Sequence, residues 1–253
     1  MRDSTSMLAA KLGGQSLCTD MAELLRPGPA EIAGLRAAVG HAARSHDAVA
    51  AWLDGLCQND LTVRDLARRS YWHPNGFAKL VLHVSREPEF RIRLHVWPVV
   101  PAGQPAGESN PHSHRWEFAS TVIAGDGLHM AEYRETEQGG KPYDRYRYGG
   151  DVAGPSGLLP DGAARLTRIA SPHVSRGQVY SCDTTVVHTV EPIGSGLTAT
   201  LVVQGPHRSS STVVYCIPGR SADQPNGELT ESDFTWLVKS VAATIDREGR
   251  SRT

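Results

Sequence analysis

Apolar positions change their spacing twice along this chain. Between about residues 29 and 57, Ile32, Leu35, Val39, Val49, Trp52, Leu53 and Leu56 recur at roughly helical intervals, which predicts helix. Pro29 stands where a first turn tolerates proline. A second short helix is predicted to open at Thr62, with Asp65 three residues on in a capping-box arrangement. After HPNG (73–76) the period falls to two. FAKLVLHV, FRIRLHVWPVV, HSHRWEFASTVIAG, GLHMAEYRE, DRYRYGG, ARLTRIA, QVYSC, TVVHTVEP, LTATLVVQGP and STVVYCI each alternate as strands do, and Gly, Pro, Asn or Asp punctuates the gaps. The period returns to helical in TESDFTWLVKSVAATIDRE. Many short strands at steady spacing predict an antiparallel sandwich or barrel. The expected layout is a loose tail over 1–20, a helical segment over 21–70, a β-barrel over 71–220 and a closing helix within 221–253.

Composition narrows the function classes more than the fold. The chain has 253 residues, 40% hydrophobic and 21% charged, which suits one large domain or a domain with an appendage. A formal net charge of -1 gives no bulk attraction to nucleic acid or to an anionic membrane. No stretch approaches the ~20 consecutive apolar residues of a membrane span, and MRDSTSMLAAKLGG lacks the apolar core of a signal peptide. Cys18, Cys57, Cys182 and Cys216 are scattered and form no CxxC pair, so they read as reduced thiols of a cytoplasmic protein. Tyr143, Tyr146 and Tyr148 with Arg145 and Arg147 form a basic-aromatic patch, which at balanced net charge reads as a solvated strand in preference to a nucleic-acid surface. A free barrel edge is open to pairing in a homodimer.

The candidate chemistry lies in PHSHRWEF, residues 111–118. One HxH among 11 histidines is weak evidence of a metal site. On a strand, however, His112 and His114 project to the same face, where two imidazoles can share one ion. The Gly/Pro loop before them enters the strand as at a barrel mouth, where ligand sites tend to lie. A third imidazole must come from another strand, and His188 in TVVHTVEP supplies one. By parity it points the same way as Val186 and Val190, so a satisfied core histidine is the competing reading. In FRIRLHVW, Arg91, Arg93, His95 and Trp97 share the face opposite Phe90, Ile92, Leu94 and Val96. That polar face reads as solvated unless Trp97 points inward. His129 reads as surface or as a neighbour of the site, not as a ligand.

The two blocks resemble the two halves of the cupin motif: HxH with a following acid, closed by glycine, then Gly177, Asp183 and His188 in order. FRIRLHVW, a loop and HSH are similar to the strand, tryptophan and HxH of cysteine dioxygenase-like cupins, and VHTVEP resembles that family's third-histidine strand. The likeness runs from about Tyr71 to Pro206, with a long insertion between the motifs. It implies a cupin jelly-roll barrel with N-terminal helices and one C-terminal helix, and Fe(II) held by His112, His114 and His188. It also implies that Trp97 lines the pocket, which brings Arg93 and His95 in with it; an inward arginine suits a carboxylate or another anion.

Three departures from the family pattern shape the expectation. Glu117 stands three residues after His114, where the usual glutamate stands four or five after; parity points it away, so it is a fourth ligand only if a bulge re-aims it. The family's Ser-His-Tyr relay falls on Thr200, Val202 and Gln204, so its histidine and tyrosine are missing. The family's substrate-carboxylate arginine falls on Ala78 or Lys79. The last two differences argue against cysteine as substrate. The expected site therefore comprises the three histidines, substrate-binding Lys79, Arg93, His95 and Trp97, and candidate catalytic Tyr133 and Gln204. The expected activity is that of an Fe(II)-dependent oxygenase acting with O2 on a small amino-acid-like or anionic molecule. A zinc cupin performing a non-redox rearrangement or N–N bond formation, and a cupin that only binds a ligand, are the competing classes; imidazole donors suit several metals.

Overall fold

A computed structural model describes residues 17–26, 31–99, 110–149, 157–219 and 226–250. Most of the expected tail and most of the loop before His112 lie outside these residues. Among the described residues there are five helices: α1 over 17–25, α2 Ile32–Arg44, α3 His46–Leu56, α4 Asp60–Ala67 and α5 Glu231–Arg250. The strands are β1 Tyr71–His73, β2 Phe77–Arg86, β3 Glu89–Trp97, β4 Trp116–Ala124, β5 Leu128–Glu135, β6 Lys141–Gly149, β7 Leu158–Ala170, β8 His173–Val174, β9 Val179–Cys182, β10 Val187–Pro192, β11 Thr198–His207, β12 Ser211–Cys216 and β13 Gly227–Glu228.

Two antiparallel sheets form the barrel. The first runs β13-β1-β2-β3-β11-β4-β9 and the second β10-β5-β7-β6-β12, with β8 paired to β5. Residues 111–113 bridge the two edges of the second sheet. The backbones of His112 and His188 exchange two hydrogen bonds, of 3.1 and 2.9 Å, while Ser113 N–H donates to Val213 O and Tyr215 N–H donates to Pro111 O. The HxH segment is thus a short connector that bridges the two edges of the second sheet, and β4 begins only at Trp116. This differs from the continuous strand expected from 112 onward.

The helices cover the outer face of the first sheet. Leu35, Val39, Leu53, Phe234, Leu237 and Val241 pack with Leu80, Phe90, Ile92, Leu94, Leu201 and Val203, all completely buried. At about 1.5–3 kcal/mol for each fully buried side chain, this layer is the main hydrophobic contribution to the fold. The other face of the same strands looks into the barrel, where a smaller cluster includes Phe77, Trp97, Phe118, Leu128, Met130, Cys182, Val190 and Val202. The far end of α5 is tied to the barrel by Glu248, which pairs with Arg176 at 2.6 Å and accepts a hydrogen bond from Gly125 N–H at 3.1 Å.

Several boundaries differ from the sequence expectation for local reasons. Ser45, at φ -121° and ψ 51°, splits the first helical stretch into α2 and α3 without breaking the run of buried positions on either side. The next helix starts at Asp60, because Asn59 accepts a hydrogen bond from Thr62 N–H at 3.0 Å; the Thr62–Asp65 pair is not the cap. The end of the expected tail is helical and buries Leu17. β7 starts six residues before ARLTRIA because Gly162, at φ +92°, sits at a register shift in the β6–β7 ladder where Pro-Asp-Gly had suggested a turn. A two-residue strand, β13, precedes the last helix and pairs with β1.

Candidate metal centre

His112, His114 and His188 converge inside the barrel, each offering one nitrogen, all within 4.8 Å of one another. Their ring centroids are 4.8, 5.0 and 5.1 Å apart. Metal–nitrogen bonds of about 2.1 Å place ring centroids roughly 3.2 Å from the ion, so bond angles of roughly 90–110° separate them by roughly 4.5–5.2 Å. The cluster therefore has the dimensions of a three-imidazole metal site. The His112–His188 backbone bridge sets this spacing, because it holds the connector against β10.

The donor atoms are prepared for an ion. His112 Nδ1 lies 3.0 Å from Asn110 O; a carbonyl only accepts, so the proton sits on Nδ1 and the lone pair that could ligate a metal is on Nε2. Burial, reinforced by the neighbouring His112 and His188, holds His114 well below the usual imidazole range. Burial and His112 pull His188 down to about 3. Both rings are neutral near pH 7, as metal ligation requires. Phe118 packs against both, with centroids 5.0 Å from His114 and 5.8 Å from His188.

Beside the cluster lies a narrow cavity with about 450 Å³ of unfilled space, part of it open to solvent. His114 and His188 form one wall. Lys79, Arg93, His95, Trp97, Val202 and Gln204 form the wall opposite, from the inner face of β2, β3 and β11. Arg93, His95 and Trp97 of the polar face of FRIRLHVW therefore turn inward, while its apolar face lies under the helices. No Asp or Glu lines this cavity among the described residues. Arg93 Nε, His95 Nε2, Trp97 Nε1 and Gln204 Oε1 are buried and make no hydrogen bond. Such atoms are uncommon in folded proteins and mark space that a ligand or water fills.

Two expected residues stand elsewhere. Tyr133 pairs with Val187 in the β5–β10 ladder, so it faces away from His188 and out of the barrel; its hydroxyl lies 3.4 Å from Thr189 Oγ1 and it lines a separate outer groove. The catalytic expectation for Tyr133 is corrected on this ground. Glu117 turns outward, 3.6 Å from Arg208, and is not part of the imidazole cluster. His129 lies on the outer face with its ring 5.8 Å from His173. In the basic-aromatic patch, Arg145 pairs with Glu135 and Asp161, and Arg147 with Asp161, so acids on neighbouring strands neutralise it.

Sequence reasoning missed His73 and Glu132. His73 stacks on Phe77 at 4.6 Å, its Nδ1 accepts from Asn75 N–H at 3.2 Å, and burial followed by Lys79 lowers it to about 2. The signal was its place just before the Asn75-Gly76 turn. Glu132 stands directly across from His188 in the β5–β10 register, a relation that appears only once strands are paired.

No family model matches the chain, and no curated protein matches it. Among solved structures, similarity extends to an oxalate oxidase, with 17% identity over 68% of this chain and 74% of that one and a TM-score of 0.35. It extends also to a Klebsiella pneumoniae protein with a double-stranded β-helix domain (13% identity, 59% and 93% coverage, TM-score 0.30). Ectoine synthase from P. lautus is a third (11% identity, 66% and 97% coverage, TM-score 0.32). Among the described residues, no helix is long and apolar enough to cross a membrane. Two antiparallel sheets face each other across a barrel, and three imidazoles turn into its interior.

Proposed function

We propose that the protein is a mononuclear metal-dependent enzyme, an Fe(II)-dependent dioxygenase acting on a small amino-acid-like or anionic metabolite. The observation that carries this reading is the convergence of three imidazoles, two of which, held neutral, line a cavity that Lys79 and Arg93 also line. When bound, the metal would supply redox activation of O2. His112, His114 and His188 would hold it. The Asn110 carbonyl fixes the His112 tautomer, and Phe118 keeps the ligating rings of His114 and His188 in place. Gln204, 2% exposed, presents a buried amide to the substrate from β11, and Trp97 closes the cavity beside Phe77.

Metal analysis of the purified protein, with His112→Ala and His188→Ala beside it, tests this. About one iron per chain, lost in both variants, with O2 uptake on addition of substrate candidates, is expected. Tightly held zinc that Fe(II) cannot replace would sink the iron reading in favour of a non-redox enzyme. A wild-type protein that takes up neither metal would sink the centre itself.

A further inference from the structure

Lys79 and Arg93 are each only 8% exposed. Among the described residues, no carboxylate forms an ion pair with either. What surrounds them is aromatic: the Lys79 ammonium lies 5.5 Å from the Phe77 ring centroid and 5.7 Å from that of Tyr71, and the Arg93 guanidinium lies 5.2 Å from the Trp116 centroid. Ring faces attract cations but do not replace lost hydration. A buried charge without a partner is strongly unfavourable, and a protein keeps two side by side only where something else supplies the counter-charge.

The register puts these groups on one surface. Lys79 pairs with His95 and Val81 with Arg93 across β2–β3, so Lys79 and Arg93 are diagonal neighbours on the inner face. Across β3–β11, Val202 pairs with Arg93 and Gln204 with Arg91, so Gln204 flanks Arg93 diagonally on the other side. Arg93 Nε and Gln204 Oε1 both lack partners there. Gln204 can turn its amide to present N–H groups to an anion.

We infer that Lys79, Arg93 and Gln204 form a carboxylate subsite on the wall facing the three histidines. A planar carboxylate matches the guanidinium fork, and phosphate, which the fork also accepts, is the competing anion that the test separates. The substrate is then an acid that carries a second donor group several atoms from its carboxylate, the carboxylate held by this wall and the second group facing the imidazoles. Only the second half of that statement rests on the metal reading.

The test uses metal-stripped full-length protein and malonate, followed by calorimetry, with inorganic phosphate in parallel. Malonate is expected to bind the wild type, and Arg93→Met and Lys79→Met are each expected to weaken it at least tenfold while melting cooperatively. Arg147→Met, outside the barrel, is expected to bind malonate as the wild type does, and because the protein is metal-free, loss of the metal reading would leave this result standing. No malonate binding by the stripped wild type, unchanged binding in both variants, or tighter binding of phosphate would each overturn the assignment.

Discussion

Replacing Arg93 by methionine should stabilise the metal-free, anion-free protein, against the ordinary direction of core substitutions. Burial, the largest influence on this side chain, pulls the guanidinium from its ordinary 12.5 down to about 10. That fall corresponds to roughly 3 kcal/mol held against the charged form. The substitution removes this cost along with the contact to Trp116, which contributes on the order of 1–2 kcal/mol. Methionine keeps most of the apolar stem and fills the space flexibly. A net gain of about 1–2 kcal/mol raises Tm by roughly 2–8 °C for a chain of this size. The assay is thermal and urea denaturation in buffer free of carboxylates, with Arg147→Met as control. Arg147 is exposed and paired with Asp161, so its loss should change stability by less than ~1 kcal/mol. Adding malonate should close or reverse the gap, because only the wild type gains binding energy. If Arg93→Met melts below the wild type by the usual 0.5–3 kcal/mol of a core change, Arg93 is a satisfied structural residue and the reasoning fails.

Two further outcomes are expected. Glu117→Gln and Tyr133→Phe should leave metal content and malonate affinity at wild-type values, since both side chains point out of the barrel; a loss of metal in Glu117→Gln would restore it as a ligand. The metal-stripped protein should lose stability as pH falls. Folded His188 and His73 are depressed to about 3 and about 2, whereas unfolded histidine titrates near ~6.5. Below that value the unfolded chain takes up protons that the folded one refuses, so stability is full above it and declines toward the folded values. The slope is at most ~1.4 kcal/mol per pH unit for each ring, or at most about 4 kcal/mol for the pair by pH 5. Urea midpoints measured from pH 7.5 to 5 report this slope, which should be shallower in His73→Gln; a flat profile would contradict it.

The strand FRIRLHVW shows how far a sequence pattern reaches. Its two faces were legible from alternation alone, but alternation cannot say which face looks inward. The usual assumption sends the apolar side to the core and the arginines to water. Here both sides are covered. Phe90, Ile92, Leu94 and Val96 lie beneath a helical layer, while Arg93, His95 and Trp97 line the barrel. The clue was in the helices at the two ends of the chain: their apolar stripes require a sheet face to pack on, and a strand serving that face has only its polar side left for the interior. Parity within a strand was equally legible, and it turned Glu117 outward even though His112 and His114 belong to a connector and not to β4. Pairing between strands was not legible. Tyr133 and Glu132 are adjacent residues of opposite orientation, and only the register that sets Glu132 across from His188 decides which of them faces the imidazoles.

The same arrangement explains why a cationic cavity is tolerated. The cost of Lys79 and Arg93 is borne by a sheet whose stability comes from its other face, where the helices bury Phe90, Ile92, Leu94 and Leu201 completely. Because one set of strands carries both faces, hydrophobic packing outside can hold unpaired charges in register inside, within reach of the three histidines. Stability and binding are thereby assigned to alternate residues of the same strands. Truncating Leu94 should weaken the fold and, while the protein remains folded, leave malonate affinity intact; truncating Arg93 should do the reverse. A protein in which both substitutions moved stability the same way would not be organised as argued here.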